Sequence, residues 1–186
     1  MQTAIQKHLF SISDFDRMAE RGLFDEESRI ELIEGEFFDM APIGSRHASI
    51  VSFLANALIK QLSDCAIVRI QDPVRLGDFS VPQPDLAVVK PKSDFYRTQH
   101  PEANDILLLI EVSDSTAGYD LKTKIPLYAK YEIPECWLID IDKKTVTRFT
   151  EPHENSYKMQ HIYHAGESVQ SIQFDCLSIN LGSLLD

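Results

Sequence analysis

Apolar residues recur along this chain at two different periods, and their alternation lays out the elements. Over residues 46–62, Ile50, Val51, Leu54, Ala57, Leu58 and Leu62 fall on one stripe of a 3.6-residue repeat. That pattern predicts an amphipathic helix, with Ser45 as its N-cap. Residues 11–21 predict a shorter helix, capped by Ser11 or Ser13, with Asp14 and Asp16 in the first turn near the positive end of the dipole. Gly22 is placed to end it. The runs RIELIEG and EFFDMAP flank Gly35 and predict a hairpin.

Strand-like runs follow near 66–76, 84–90 and 105–113. In the last, Ile106 to Ile110 is apolar without a break, as in a strand covered on both faces. Residues 91–104 hold Pro91, Pro101 and many polar groups and read as a loop. A second helix is expected over 120–132. Pro126 is tolerated only in a first turn, so this helix should start late, near 122–125, or kink there. Pro134 ends it, and ECWLIDI is a buried strand. The tail reads as short strands with turns at His153–Ser156 and at Gly166. The order helix, strand, strand, strand, helix, strand predicts an α/β (α+β) fold around one mixed sheet, with extra strands at both ends.

The chain has 186 residues, which suggests one domain over 1–186 that buries roughly 70% of its unfolded surface. Its net charge of −11 weighs against a simple nucleic-acid binder, whose footprint is a basic patch. It does not weigh against an enzyme that uses a divalent cation, because a bound cation neutralises acidic ligands. Cys65, Cys136 and Cys176 form no CxxC pair, so a disulfide framework and a zinc knuckle are not expected. No run approaches the roughly 18 apolar residues of a membrane helix, and the N-terminal stretch lacks the apolar core of a signal peptide. A reduced, cytoplasmic setting is the expectation.

Three residues stand out chemically. Asp85 follows Pro84 at the start of a predicted strand, and Glu111 follows five consecutive apolar residues. A carboxylate in such a run is costly to bury without a compensating group such as a metal. Lys124 is helix-spaced with Tyr128 and Tyr131, near Leu121 on the same face. Taken singly, Pro-Asp starts a turn, a strand-end Glu is solvated and a helix Lys snorkels. Taken in order, the three match the needs of phosphodiester hydrolysis: hard oxygen ligands for a divalent cation, and a positive group near the attacking water or the phosphate.

The segments PDLAVV, LLIEVSDST, YDLKTKIPLYAKYEIPECWLID and RIELIEGEFFDMAP…H resemble the Uma-two family of restriction-endonuclease-like proteins, a branch of the PD-(D/E)XK nuclease superfamily. The resemblance spans about residues 10–180. It implies an αβββαβ core and a magnesium-dependent (or manganese-dependent) endonuclease acting on DNA as a homodimer. It also implies Asp85 and Glu111 as metal-binding catalytic acids. The parent motif has a lysine two places after the second acid, where this chain has Ser113. The family pattern D…K…Y on the following helix matches Asp120, Lys124 and Tyr128, so Lys124 becomes the catalytic lysine, with Lys122 as a weaker candidate. Further site candidates are Glu31, His47 and Gln71. Glu34 is read as an exposed hairpin acid. A second reading, favoured by the acidic charge, is a nuclease-fold binding or regulatory module without turnover.

Overall fold

The computed structural model describes residues 6–25, 28–114 and 116–185. Helix α1 (Ile12–Glu20) takes Ser11 as its cap, which decides between the two serines. Ser11 Oγ accepts from the Asp14 N–H at 3.2 Å, and the Asp14 carboxylate accepts from the Ser11 N–H at 3.0 Å, a reciprocal capping box. Strands β1 (Ile30–Ile33) and β2 (Glu36–Asp39) form the predicted hairpin. Its two turn residues, Glu34 and Gly35, have φ of 49° and 83°, as a tight hairpin turn requires. A Cβ on Gly35 would lie 2.6 Å from the Leu9 Cβ, so glycine alone lets the preceding chain cross this turn.

Helix α2 (Ser45–Leu62) carries the predicted stripe inward, with one exchange: Ala55 is buried while Ala57 is only partly so. Gly44, not Ser45, is the N-cap, and it offers no side-chain bond. Strand β3 (Ile67–Ile70) is shorter than the run that predicted it. Gln71 turns to φ 52° and Pro73 follows, so beyond this point Arg75 and Leu76 make only isolated bridges. Strands β4 (Leu86–Val89), β5 (Ile106–Ser113), β6 (Glu135–Asp140), β7 (Thr145–His153) and β8 (Ser156–His164) complete a six-stranded sheet in the order β3-β4-β5-β6-β7-β8. Only β5 and β6 run parallel. The αβββαβ core is therefore present. Strands β9 (Ser168–Gln170) and β10 (Ser178–Asn180) pair with each other outside the sheet, before the short helix α5 (Gly182–Leu185).

The crossover between β5 and β6 departs from expectation. It does not start late, near 122–125. It begins with α3 (Ala117–Tyr119), widens into a π-helical stretch over Asp120–Lys124, and continues as α4 (Ile125–Lys130). The Ile125 N–H reaches back five residues to the Asp120 carbonyl. Pro126 then enters at the first turn of α4, where its missing N–H and its ring cost least. Asp120, Lys124 and Tyr128 are all buried, whereas Leu121 is 48% exposed and so leaves the face it was expected to share.

The sheet is covered on both sides. Leu86, Val88, Leu108, Ile110 and Val112 pack with the stripe of α2 and with Val169 and Ile179 of the β9–β10 pair. Ala87, Val89 and Leu109 pack with Ile125, Leu127 and Tyr128 of α4. Such two-sided burial is why β4 and β5 read as unbroken apolar runs rather than alternating ones. Glu111 sits on the α4 side, in step with Leu109.

Candidate functional site

Register brings the two acids together. Leu86 pairs with Ile110 across β4 and β5, so the next step of the same antiparallel ladder sets Asp85 beside Glu111. Both are buried, at 8% and 3% exposure. Asp85 is held by three donors. Its Oδ2 accepts from the Val112 N–H at 2.8 Å and meets His47 Nε2 at 3.0 Å, and its Oδ1 accepts from Gln71 Nε2 at 3.1 Å. The first turn of α2 and the end of β3 thus both serve this one carboxylate. The hydrogen bond to Asp85 raises the pKa of His47 against the effect of its partial burial.

Glu111 accepts from the Tyr128 hydroxyl, and Lys124 Nζ lies 3.3 and 3.5 Å from its two oxygens. Lys124 is also 2.9 Å from Glu31 Oε1, which accepts the Gln83 N–H at 2.6 Å as well. The hairpin therefore delivers a third buried acid to the site. Burial pushes the Glu111 carboxyl well above the usual carboxylate range, with Lys124 opposing and Asp120, Asp85 and Glu31 adding to the rise. Burial disfavours the Lys124 ammonium, but the charges of Glu111, Glu31 and Asp120 outweigh it and raise the lysine's pKa. Ser113, where the parent motif has its lysine, donates to Asp120 at 2.5 Å instead, and Thr116 Oγ1 donates to the same oxygen at 3.0 Å. Asp120 is thereby fixed at the start of the π stretch that carries Lys124.

These groups line a cleft of about 440 Å³. Asp85, Glu111, Lys124, Glu31 and His47 all border it, and Gln71 reaches it through Asp85. Lys122 is exposed and stands apart from the cleft lining. Glu34 is exposed and pairs with Lys130 at 2.7 Å, as a surface hairpin acid should. Sequence reasoning missed Tyr119, Arg29 and the Val112 N–H. A backbone donor has no sequence signature, and nothing about an isolated tyrosine ahead of Asp120 marks it as cleft-lining.

Among the described residues no three of His, Cys, Asp and Glu form a cluster able to hold a metal ion. The donor set still suits magnesium, which keeps several waters and needs only one or two protein carboxylates. Asp85 Oδ1 takes one protein donor, and Glu111 Oε2 takes only the long contact to Lys124, so each acid keeps accepting capacity. The carboxylate ligands are hard oxygens.

Comparison with known proteins bears on the fold and the family. The crystal structure of a putative nuclease belonging to DUF820 from Anabaena variabilis superposes with a TM-score of 0.74, covering 95% of this chain and 97% of that one. At 18% identity the likeness is one of fold. No curated protein matches the chain. A family model described as Uma2, "Putative restriction endonuclease", matches residues 12–181. By that match, over most of its length, the chain belongs to the Uma2 family of putative restriction endonucleases.

Proposed function

We propose that the cleft hydrolyses DNA phosphodiester bonds with a magnesium ion, replaceable by manganese, held by Asp85 and Glu111. The observation that carries this is the β4–β5 register, which sets two buried carboxylates side by side while Lys124 reaches them from the helical layer that covers this face. A bound divalent cation would supply Lewis-acid polarisation of a phosphoryl oxygen. The chain's own residues do the rest. His47, Gln71 and the Val112 N–H hold Asp85 in one orientation. Tyr128 and Lys124 do the same for Glu111.

Lys124, with its raised pKa, remains an ammonium at neutral pH. Its role is therefore to offset charge that develops on the phosphate, not to act as a base. Glu31 anchors the ammonium from the β1–β2 hairpin. Sharing one cation between Glu31 and Glu111 lets both acids stay buried.

A supercoiled-plasmid assay with magnesium or manganese tests the proposal. The wild type should nick the plasmid, and Asp85→Ala should lower the rate by at least about a hundredfold. Nicking no faster than the Asp85→Ala background would favour a nuclease-fold binding module instead, a reading that the acidic cleft supports. The same proposal includes a homodimer. Strand β8 pairs only with β7 among the described residues, leaving nine residues of sheet edge for a second copy. Sedimentation equilibrium at micromolar concentration should give twice the chain mass, 21.2 kDa.

A further inference from the structure

The cleft has two unlike walls. One is the acid floor already described. The other runs from the end of β2 to the start of α2, where Phe38, Met40, Pro42 and Ile43 line the cleft together with Tyr119. Ile43 is 42% exposed. The Phe38 and Tyr119 rings lie 5.6 Å apart, inclined at 50°, and make an aromatic surface beside the acids. The Tyr119 hydroxyl is buried and has no protein hydrogen-bond partner among the described residues. Burial, followed by the charge of Glu31, pushes its pKa up to about 12, so it stays a neutral donor. A buried hydroxyl left unpaired is costly, and an acceptor on a ligand relieves that cost.

Electrostatics decides which form of DNA suits such a cleft. Duplex DNA carries one charge per roughly 1.7 Å, and proteins that grip it do so through lysine and arginine. Here six acids line the cleft against Arg29, His47 and Lys124; Lys124 is already engaged by Glu31 and Glu111, and His47 by Asp85. At the mouth, Arg46 is spanned by Asp114 and Asp142, each at 3.4 Å. Among the described residues the cleft lining carries more acids than bases. Base stacking on aromatic rings needs no positive charge, tolerates any sequence and requires an unpaired base. A volume of about 440 Å³ suits a ligand of nucleotide size.

We infer that the cleft takes its DNA as an unpaired strand, one nucleotide stacking its base on the Phe38–Tyr119 wall while its phosphate faces Asp85 and Glu111. This rests on the nuclease reading of the same cleft. The test is fluorescence anisotropy with a labelled 12-nucleotide single strand and a blunt duplex of the same length, with calcium in place of magnesium. The single strand should bind at least about tenfold more tightly than the duplex. Phe38→Ala should weaken single-strand binding by about five- to fiftyfold. Because Phe38 is half-buried, Phe38→Leu, which keeps apolar bulk but removes the ring, should show the same direction of change. Tyr119→Phe should give a smaller loss. Equal binding of duplex and strand, or unchanged affinity in both Phe38 variants, would overturn the inference while leaving the nuclease reading intact. Failure to bind either DNA, together with no plasmid nicking in magnesium, would overturn both.

Discussion

Removing the ammonium of Lys124 would leave Glu31 and Glu111 buried on either side of it with no counter-charge. Lys124 is 4% exposed, so solvent screens little of this loss. Lys124→Ala should therefore lower stability by about 3 kcal/mol, measured by urea denaturation, with part of the penalty relieved as Glu111 takes up a proton. At this scale much of the site was legible. Glu111 and Lys124 are readable as polar groups set where their elements demand apolar ones, Asp85 as the Pro-Asp step at a strand start, Glu31 as a hairpin acid, and His47 and Gln71 as positions of the family pattern. Lys122 was misplaced as a candidate because its exposed position two residues before Lys124 depends on how the helix winds. Tyr119 was not legible at all. Its place beside Phe38 depends on how the crossover helix lies against a hairpin some 80 residues earlier in the chain.

Two elements depend on carboxylates that do no chemistry. The capping-box acid of α1, Asp14, has its pKa lowered to about 2 from 3.8, chiefly by its hydrogen bonds from Ser11. A depressed folded-state value means the charge stabilises the fold above pH 3.8 and that this is lost as pH falls through about 2. The melting temperatures of the wild type and Asp14→Asn should therefore differ at neutral pH and converge between pH 3.8 and about 2. Glu135, fully buried at the start of β6, accepts from Trp137 Nε1 at 2.7 Å, Ser171 Oγ at 2.7 Å, and the Ile172 and Gln173 N–H groups at 3.0 and 3.3 Å. It ties the segment after β9 to the edge of the core. Glu135→Ala strands these donors and should cost about 3 kcal/mol in urea denaturation. The elements themselves were mostly legible as periodicity. The exception is the crossover, where Pro126 predicts a helix that starts late or kinks. A wider hydrogen-bonded turn is a further way to accommodate a proline, and local pattern does not distinguish it from the other two.

For the molecule as a whole, a cation that binds only the folded cleft must shift the unfolding equilibrium. At ten times its dissociation constant, manganese should stabilise the wild type by about 1.4 kcal/mol. That corresponds to a rise in melting temperature of about 3–6 °C for a chain of this length, and Asp85→Ala should show no such rise. The sequence by itself determined the mixed α/β class, the αβββαβ order and the two-sided burial of the central strands. Each of these is a local matter of period or run length. Tertiary structure decided the rest. Strand order and register set Asp85 against Glu111, the π stretch aimed Lys124 between two acids from different elements, and the packing of the crossover on the hairpin set Tyr119 beside Phe38. Those outcomes rest on contacts between residues far apart in the chain, whose energies no single window of sequence contains.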